Sequence, residues 1–387
     1  MLRVLFLIRD LQRGGAERQL VTLVRNLDHS RFCVTVLTYY TGGELVRDLQ
    51  GLPNVQVISA GKTGRWDTLG FLVRLYLLAR RIRPHIVHGY MYGANELALL
   101  LGRALRARVV WGVRASGLDM RHYDGATRLL NRTGAWLSSR ADALIANSTA
   151  GRRDHLALGY PPERFVVVPN GIDTEHYRYT DGGRRRLRAL WQVSDGDRLV
   201  GIVARIDPMK DHGTFLRAAA ILAGLRRDVR FVIVGGGSAA SLLRIRELAT
   251  QLAVADRIVW AGSHEDMPAV YSALDLVTSS SAFGEGFSNS LAEAMACEKV
   301  CVATDVGDAR MVLGAAGEIV PAAEPAALAA AWCRVLDSGA GALAARGDAA
   351  RARVVETFSA TLLAARTAEL LARVAEGGEL AAAGSAP

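Results

Sequence analysis

The stretch EGFSNSLAEAMA places two glutamates, Glu285 and Glu293, eight positions apart around the expected start of a helix. Glu285 stands in the loop Phe283-Gly284-Glu285-Gly286-Phe287, where the glycines let the chain turn sharply. A loop carboxylate and a carboxylate in the first turns of the next helix can point into one cleft and accept hydrogen bonds from hydroxyl groups. A sugar and a ribose both offer such hydroxyls.

A purely structural interpretation is open for Glu293. Ser290-Leu291-Ala292-Glu293 matches a capping box, which would make Glu293 a helix-start residue worth about 1 kcal/mol. That interpretation leaves Glu285 unexplained.

Two cations stand where an anion could bind. Arg205 and Lys210, in ARIDPMKD, follow a predicted strand and lie at the head of the next helix. Cations beside free helix N–H groups form a clamp for phosphate or diphosphate, although two cations alone also fit a solvated basic loop. Gly14 and Gly15 open a helix at the matching place near the N-terminus, where missing side chains let an anion approach the backbone.

A third glycine cluster, Gly235-Gly236-Gly237, does not complete a dinucleotide-binding fingerprint, because position 240 is Ala240. We interpret it as a tight turn that lines the cleft.

Apolar runs alternate with helical patterns along the whole chain, which is typical of parallel sheets with crossover helices. The pattern restarts after VVVPNGID, and thus predicts two doubly wound α/β halves whose strands end toward a shared cleft. One helix is predicted from the Gly14-Gly15 pair through about Leu27, and two more over Thr68–Ile82 and about Thr361–Ala375. The predicted strands are Leu2–Ile8, Val34–Leu37, Val55–Ile58, Ile86–His88, Val109–Val113, Ala143–Ala146, Leu199–Ala204, Phe231–Val234, Ile258–Trp260, Leu276–Thr278 and Val300–Ala303.

Length and composition agree with this organisation. A chain of 387 residues with 50% apolar residues is long enough for two globular domains. No apolar run reaches the roughly 20 residues of a membrane span, and Asp10 interrupts the N-terminal run before a signal-peptide core could form. The four cysteines form no zinc-like set. We therefore expect a cytoplasmic protein with reduced cysteines and no bound metal.

The positive charge is concentrated in the first half of the chain. Residues 1–170 contain 24 lysines and arginines against 12 aspartates and glutamates, a net charge of +12. A basic half can indicate nucleic acid, an anionic membrane or an acidic substrate, and an arginine bias of the gene explains it equally well. Our hypothesis is docking on an anionic membrane, based on the arginines on and after one amphipathic helix: Arg74, Arg80, Arg81 and Arg83.

Taken together, these motifs resemble the retaining glycosyltransferases of family 4, and the resemblance covers essentially the whole chain. That family has the GT-B fold, an α/β fold of two doubly wound Rossmann-like domains facing across a cleft. The matching motifs are Glu285-x7-Glu293, the pair Arg205 and Lys210, Asn170-Gly171-Ile172-Asp173, and Gly14-Gly15-Ala16-Glu17.

The resemblance implies roles for the residues around the two glutamates. Glu293 should hold the ribose hydroxyls of a nucleotide, and Glu285 the hydroxyls of the donor sugar. Ser290 and Leu291 should lie beside the phosphates. The rest of the donor-binding stretch is Gly286, Phe287, Ser288 and Asn289, the last at a position where the family more often has Pro or Gly. Val306-Gly307-Asp308 is expected to complete the sugar pocket.

The resemblance also implies the domains and the reaction. Residues 1–172 would form the acceptor-side domain, with a helix of about 358–376 packing back on it, and residues 173–357 the nucleotide-sugar domain. The reaction would be metal-independent, retaining hexosyl transfer from a UDP- or GDP-linked sugar, without any cofactor or protein nucleophile. The acceptor would be a glycan or a lipid-linked molecule in cell-surface polysaccharide or glycoconjugate synthesis. We expect no nucleic-acid partner, and a location on the inner face of the membrane.

Two positions on the acceptor side depart from the family pattern. His88 follows a predicted strand in HGYMYGAN and is interpreted as a catalytic cleft residue, with a core histidine as the alternative. Arg114, in WGVRAS, stands where relatives often carry a catalytic histidine. Both residues are predicted to act in catalysis.

Other functions fit parts of this pattern. A glycoside hydrolase also uses two carboxylates, but it needs neither a phosphate clamp nor a Gly-Gly loop. A nucleotide-sugar epimerase or a phosphorylase shares the architecture. A protein that only binds sugar nucleotides would keep Glu293 but could lose Glu285 or Lys210, and both are present.

Overall fold

The computed structural model of the chain describes residues 1–64, 66–114 and 133–378. It divides the chain into two compact units. Unit 1 consists of residues 1–171 together with the segment that begins at Ala360, and unit 2 consists of Ile172–Ser359.

Unit 1 is built on a seven-stranded parallel sheet with the strand order β3-β2-β1-β4-β5-β6-β7. Because β1 to β6 are rich in branched apolar residues and covered on both faces, their continuous apolar runs were readable from the sequence. The strands are β1 (Leu2–Ile8), β2 (Phe32–Thr38), β3 (Val55–Ser59), β4 (Ile86–Tyr90), β5 (Arg108–Val113), β6 (Ala143–Ala146) and β7 (Phe165–Val167).

The helices of unit 1 cover both faces of this sheet with separate apolar clusters. The final helix lies against α1, and its Leu363, Leu370 and Leu371 belong to the same cluster as strands β1 and β2. The helices of unit 1 that lie wholly within the described residues include α1 (Gly15–Asn26), α2 (Leu69–Ile82), α3 (Ala94–Leu105), α4 (Thr149–Ala157) and, at the end of the chain, α13 (Ala360–Glu376).

Unit 2 is a second parallel sheet, of six strands in the order β10-β9-β8-β11-β12-β13. The two α/β sheets confirm the predicted fold class. Two strands were not predicted, β7 in unit 1 and β13 in unit 2, because three residues are too few to show a periodicity. The strands of unit 2 are β8 (Arg198–Val203), β9 (Val229–Val234), β10 (Ile258–Gly262), β11 (Leu276–Ser279), β12 (Val300–Thr304) and β13 (Glu318–Val320).

Helices again cover both faces of the sheet in unit 2, with Trp332 packed against Phe215 and Phe231 at the centre of one face. The indole N–H of Trp332 donates a 2.8 Å hydrogen bond to Thr278 Oγ1, so the buried ring has no unpaired donor. The helices are α5 (Asp181–Leu190), α6 (His212–Leu225), α7 (Ala239–Gln251), α8 (Met267–Ala273), α9 (Asn289–Ala296), α10 (Ala309–Leu313), α11 (Pro325–Asp337) and α12 (Ala340–Phe358).

Each sheet reverses its strand order once, between β1 and β4 in unit 1 and between β8 and β11 in unit 2. In open α/β sheets, ligands bind beside the carboxyl ends of the strands at such a reversal. A ligand-binding site of unit 2 is therefore expected at the loops that follow β8 and β11. Within the part of the chain that the structure describes, no helix is long and apolar enough to cross a bilayer.

Candidate active site

The reversal point of unit 2 brings together the two sets of residues that the sequence singled out separately. Lys210 ends a short turn, Pro208–Lys210, that follows β8, and Glu285 lies in the loop that follows β11. The Lys210 ammonium forms an ion pair with Glu285 Oε1, and the Ser281 hydroxyl donates to the same oxygen over 3.2 Å. The two side chains are only 17% and 11% exposed. The site thus contains a largely desolvated, charge-balanced pair.

Backbone contacts hold the two loops against each other. The Ser280 hydroxyl donates to the carbonyls of Lys210 and Asp211 at 2.9 and 3.0 Å. The amide of Ala282 donates to the Met209 carbonyl at 2.9 Å. Because these hydrogen bonds involve neither the Lys210 ammonium nor the Glu285 carboxylate, the Lys210–Glu285 pair does not depend on its own attraction for its position.

The loop after β12 closes on the other side of Glu285. Gly307 has a φ of +62°, and a Cβ at this position would overlap the carbonyl of Glu285. The amide of Asp308 donates to the Gly286 carbonyl at 3.0 Å. Val306-Gly307-Asp308 therefore lies directly on the Glu285 peptide, next to the position predicted for the sugar.

Glu293 lies in the second turn of α9 and is nearly buried, with 8% of its surface exposed. Its Oε2 accepts a 2.7 Å hydrogen bond from the hydroxyl of Tyr271, a fully buried residue of α8. Burial and the adjacent Glu293 carboxylate raise the pKa of Tyr271 well above its ordinary value, so the phenol remains a donor.

The capping-box interpretation of Glu293 is wrong. The helix begins at Asn289 with Ser288 as its N-cap residue, so Ser290 is inside the helix and Glu293 lies beyond its third position. The Glu293 carboxylate accepts a hydrogen bond from Tyr271, a residue of another helix. Glu293 is held by a tertiary contact.

Helix α9 is better suited than α6 to offer amides to an anion. At the head of α6 the Asp211 carboxylate accepts from the amide of Thr214 at 3.0 Å, which occupies one of the N–H groups predicted to be free. Helix α9 has no side-chain cap from Ser288. Since the first amides of a helix have no partner within the helix, the backbone of Ser290 and Leu291 is suited to a phosphate oxygen.

Arg205 is exposed, and its loop is fixed by the glycine cluster after β9. Gly235 has a φ of +140°, and a Cβ there would overlap the carbonyl of Ala204. The amide of Ile206 donates to the Gly236 carbonyl at 2.8 Å. Gly235 and Gly237 thus allow close approach to the Arg205 loop, since a Cβ on Gly237 would overlap Ile206.

In unit 1, Gly14 is the N-cap residue of α1, and α1 begins at Gly15, as predicted. The carboxylate of Glu17 lies against Gly14 at the amide end of the helix. Burial, together with the nearby Asp10, raises the pKa of Glu17, while a hydrogen bond to its own backbone opposes that shift. The place predicted for a bound anion is therefore next to a carboxylate of the chain itself.

His88 lies inside β4 and is fully buried, with its ring 5.1 Å from Phe6 and 5.0 Å from Tyr90. Burial, with a smaller effect of Arg114, holds the pKa of His88 well below its usual value. Both ring nitrogens have no partner among the described residues. The burial fits a core histidine, but two unpaired ring nitrogens do not fit a hydrogen-bonded core residue, so the catalytic role of His88 stays a prediction.

Arg114 follows β5 and is held by two hydrogen bonds. Its guanidinium donates to Asn170 Oδ1 at 2.9 Å and to the hydroxyl of Tyr90 at 2.6 Å. Asn170 opens the predicted interdomain motif, whose Gly171 exchanges hydrogen bonds of 2.9 and 3.0 Å with the side chain of Gln19. Arg114 is thus a fixed cation and cannot serve as the general base that a histidine would supply.

Sequence reasoning did not identify the supporting residues of the site, which are Tyr271, Ser280 and Ser281. The run Ser279-Ser280-Ser281 after a predicted strand was a usable signal, since hydroxyls at a strand end commonly contact ligands or neighbouring loops. Tyr271 had no local signal. Within residues 1–64, 66–114 and 133–378, no cluster of three or more metal-ligating side chains is present.

Two family models match the chain over consecutive regions. Residues 13–176 match the family described as Glycosyltransferase Family 4, and residues 197–338 match the family described as Glycosyl transferases group 1. The chain belongs to the family 4, group 1 glycosyltransferases. This membership confirms the resemblance inferred from the motifs.

Curated relatives of this family 4 chain include the D-inositol 3-phosphate glycosyltransferase of Mycobacterium ulcerans, 33% identical over 227 residues. The matched region is 57% of this chain and 48% of that protein. The protein of the same name from Mycobacterium tuberculosis is 34% identical over 57% of this chain and 46% of its own length. The match thus spans about half the length of these relatives.

Solved structures of similar fold cover almost the whole family 4 chain. HepE from Anabaena in complex with UDP-glucose matches with a TM-score of 0.83 at 22% identity, over 96% of this chain and 100% of that one. Sucrose-phosphate synthase from Thermosynechococcus elongatus matches with a TM-score of 0.79 at 18% identity, over 98% and 100%. At these identities the likeness establishes the fold.

Proposed function

We propose that this protein is a retaining glycosyltransferase that moves a hexosyl residue from a nucleoside-diphosphate sugar to a glycan or lipid-linked acceptor. The cellular process would be cell-surface polysaccharide or glycoconjugate synthesis. The observation that carries the proposal is the contact of Lys210 with Glu285 beside the head of α9. It places a group suited to diphosphate next to a group suited to sugar hydroxyls.

Lys210 can serve both partners. An ammonium group has three donors, so Lys210 can keep its ion pair with Glu285 and still donate to a diphosphate oxygen. Arg205 supplies a second, exposed cation, and the amides of Ser290 and Leu291 supply fixed dipoles. We infer that these groups stabilise the negative charge of the departing diphosphate without a metal ion.

The sugar and the ribose would then be divided between the two glutamates. Glu285 would accept from hydroxyls of the sugar, where positive charge develops as the bond to the diphosphate breaks. Glu293, oriented by Tyr271, would accept from the ribose. The departing phosphate would take the acceptor's proton on the same face of the sugar, which retains the anomeric configuration without a protein nucleophile.

Relatives guide the choice of substrates. HepE has been solved with UDP and with UDP-glucose, so UDP-sugars are the first donors to test, followed by GDP-sugars. The curated relatives are named for an inositol phosphate acceptor, which makes phosphorylated polyols the first soluble acceptors to test. Lipid-linked glycans complete the acceptor panel.

The test is release of nucleoside diphosphate from a panel of UDP- and GDP-sugars, with and without acceptor, in buffer with and without EDTA. We expect release that depends on acceptor and survives the chelator. Release without any acceptor, together with a changed sugar, would instead indicate an epimerase. Loss of activity in EDTA that is restored by magnesium or manganese would contradict the metal-independent donor site.

Membrane docking is the second part of the proposal, and α2 supports it. Leu69, Val73 and Leu77 are spaced four residues apart on α2 and are 77%, 50% and 46% exposed. Arg80 and Arg81, in the last turn, are exposed as well. An apolar stripe bordered by arginines suits an anionic bilayer surface. Arg74 does not contribute as predicted, because its guanidinium pairs with Asp67 and donates to the Ala60 carbonyl at 2.8 Å.

Vesicle co-sedimentation tests this surface. Binding to vesicles that contain phosphatidylglycerol should exceed binding to pure phosphatidylcholine and fall with salt. The double variant Val73→Ser/Leu77→Ser should lose it. The control Leu190→Ser/Leu225→Ser removes two exposed leucines of unit 2 and should bind as the unchanged protein does. Equal binding to both vesicle types would remove the membrane proposal.

A further inference from the structure

A cavity of about 670 Å³ opens in unit 1 at the edge of the sheet opposite the predicted catalytic residues. Its walls come from the end of α3 with the first residues of β5, from the residues just before β6, and from Arg164 just before β7. The predicted site residues of unit 1, Gly14, Gly15 and Arg114, follow the other ends of strands β1 and β5. Within unit 1, the cavity therefore lies at the opposite ends of the strands from these predicted site residues.

The lining of this cavity is strongly basic. Five guanidinium groups and a single carboxylate, that of Asp142, belong to it. Asp142 is already engaged, since its Oδ1 pairs with Arg108 at 2.9 Å and its Oδ2 accepts from the amide of Val109 at 2.7 Å. The arginines are Arg103, Arg106, Arg108, Arg140 and Arg164.

Some of these arginines are held in place. Arg108 is fixed by Asp142. The guanidinium of Arg140 lies 3.7 Å from the ring centroid of Trp136 and donates to the Trp136 carbonyl at 3.2 Å. These contacts fix the positions of cations without neutralising Arg140, because neither a ring nor a carbonyl carries a full negative charge.

Other arginines of the cavity retain unused donors. The guanidinium groups of Arg103 and Arg106 are exposed and have no hydrogen-bond or ion-pair partner among the described residues. The carbonyls at the end of α3 attract cations, but that attraction is worth only a fraction of an ion pair and does not explain five arginines around one concavity. A guanidinium group can donate two parallel N–H hydrogen bonds to two oxygens of one phosphate group.

We propose that this cavity, the arginine pocket, binds a phosphoryl ligand with more than one negative charge, either a soluble diphosphate compound or a phosphate-bearing lipid headgroup. Its volume falls within the range of small-molecule sites, about 300–1,000 Å³. That size admits a diphosphate together with a small organic group. The site is independent of the transfer reaction proposed above.

The test compares two double variants that remove the same charge. Arg103→Gln/Arg106→Gln removes the two unpaired cations of the pocket, and Arg25→Gln/Arg31→Gln removes two exposed arginines elsewhere in unit 1. Inorganic pyrophosphate is titrated by calorimetry in the first arm. Vesicles with and without cardiolipin, whose headgroup carries two phosphates, are co-sedimented in the second. Melting curves check that both variants fold, as expected for substitutions of exposed side chains.

We expect the pocket variant to lose one class of pyrophosphate sites, with affinity weakened by about tenfold or more, while the control keeps it. Any pyrophosphate at the donor site is common to both variants and cancels in the comparison. Loss of pyrophosphate binding alone identifies a soluble ligand, whereas a loss of vesicle binding that the control does not share identifies a lipid headgroup. If the two variants behave alike in both arms, the proposal is overturned.

Discussion

The hydroxyl of Tyr271 donates a hydrogen bond of 2.7 Å to Oε2 of Glu293, across 22 residues of sequence and between helices α8 and α9. The donor side chain is fully buried and the acceptor is 8% exposed. This contact fixes the orientation of the carboxylate that we assign to the ribose. It also separates the role of Glu293 from that of Glu285, which contacts a lysine and a serine.

Tyr271→Phe should weaken donor binding without touching any substrate-contacting atom. The substitution keeps the packing but leaves one carboxylate oxygen of Glu293 without its donor, which we expect to lower the free energy of unfolding by about 1–3 kcal/mol. Donor dissociation constants measured by calorimetry, beside melting curves, check both effects. Unchanged donor affinity in a variant that melts early would make Tyr271 purely structural.

Substitutions of the two glutamates should affect different steps, donor binding for Glu293 and turnover for Glu285. Glu293→Gln should mainly weaken donor binding, by about tenfold, because the ribose is held in both the ground state and the transition state. Glu285→Gln should lower kcat by about 100-fold with little change in donor affinity, because its charge matters most as the sugar becomes cationic. Direct measurement of donor dissociation constants is needed, since KM mixes binding with chemistry. A Glu285→Gln enzyme that keeps kcat but loses affinity would reverse our assignment of roles.

Removal of either cation should reduce turnover more than stability. Arg205 is exposed, so Arg205→Ala should melt like the unchanged protein. Lys210→Ala leaves the largely buried Glu285 without its cation and should lower the free energy of unfolding by about 1–2 kcal/mol as well. Arg217→Ala, at an exposed position of α6, is the matched control. Normal turnover by the folded fraction of both variants would refute the diphosphate clamp.

Gly307 should not tolerate a side chain. Its φ of +62° and the overlap of a Cβ with the Glu285 carbonyl predict that Gly307→Ala lowers the free energy of unfolding by more than about 2 kcal/mol and disturbs the sugar side of the site. Gly224→Ala is the control, because Gly224 lies in α6 and a Cβ there would have no atom within 4 Å. We expect this variant to have a free energy of unfolding about 0.5–1 kcal/mol higher than that of the unchanged protein. Equal melting temperatures of the two variants would show that the loop after β12 rearranges to accept a Cβ without loss of stability.

His212 should make folding sensitive to acid. Burial lowers the pKa of His212 to about 4, so the unfolded chain, with an ordinary histidine pKa near 6.5, binds the proton more readily than the folded chain. The neutral, buried His212 therefore contributes to the free energy of unfolding above pH 6.5. That contribution, roughly 3 kcal/mol in total, is lost as the pH falls toward 4. Denaturant melts at pH 7 and pH 5 should therefore differ less for His212→Leu than for the unchanged protein. His176→Leu, at an exposed position, serves as control.

The sequence by itself determined the elements and most of the residues around the site. Strands such as β1 and β6 were predicted with their observed bounds because parallel strands covered on both faces leave uninterrupted apolar runs. The start of α1 at the Gly14-Gly15 pair was predicted from local chemistry as well. These features depend on neighbours within a few positions, which a sequence shows directly.

Only the tertiary structure decided how those residues are used. Lys210 and Glu285 are 75 positions apart, and their pairing depends on strands β8 and β11 being neighbours in the sheet. The prediction of a capping role for Glu293 was wrong because a local sequence pattern contains no information about Tyr271, which contacts Glu293 from another helix. The arginine pocket likewise combines three separate segments of the chain. Such contacts are set by packing between distant elements, and local periodicity does not record them.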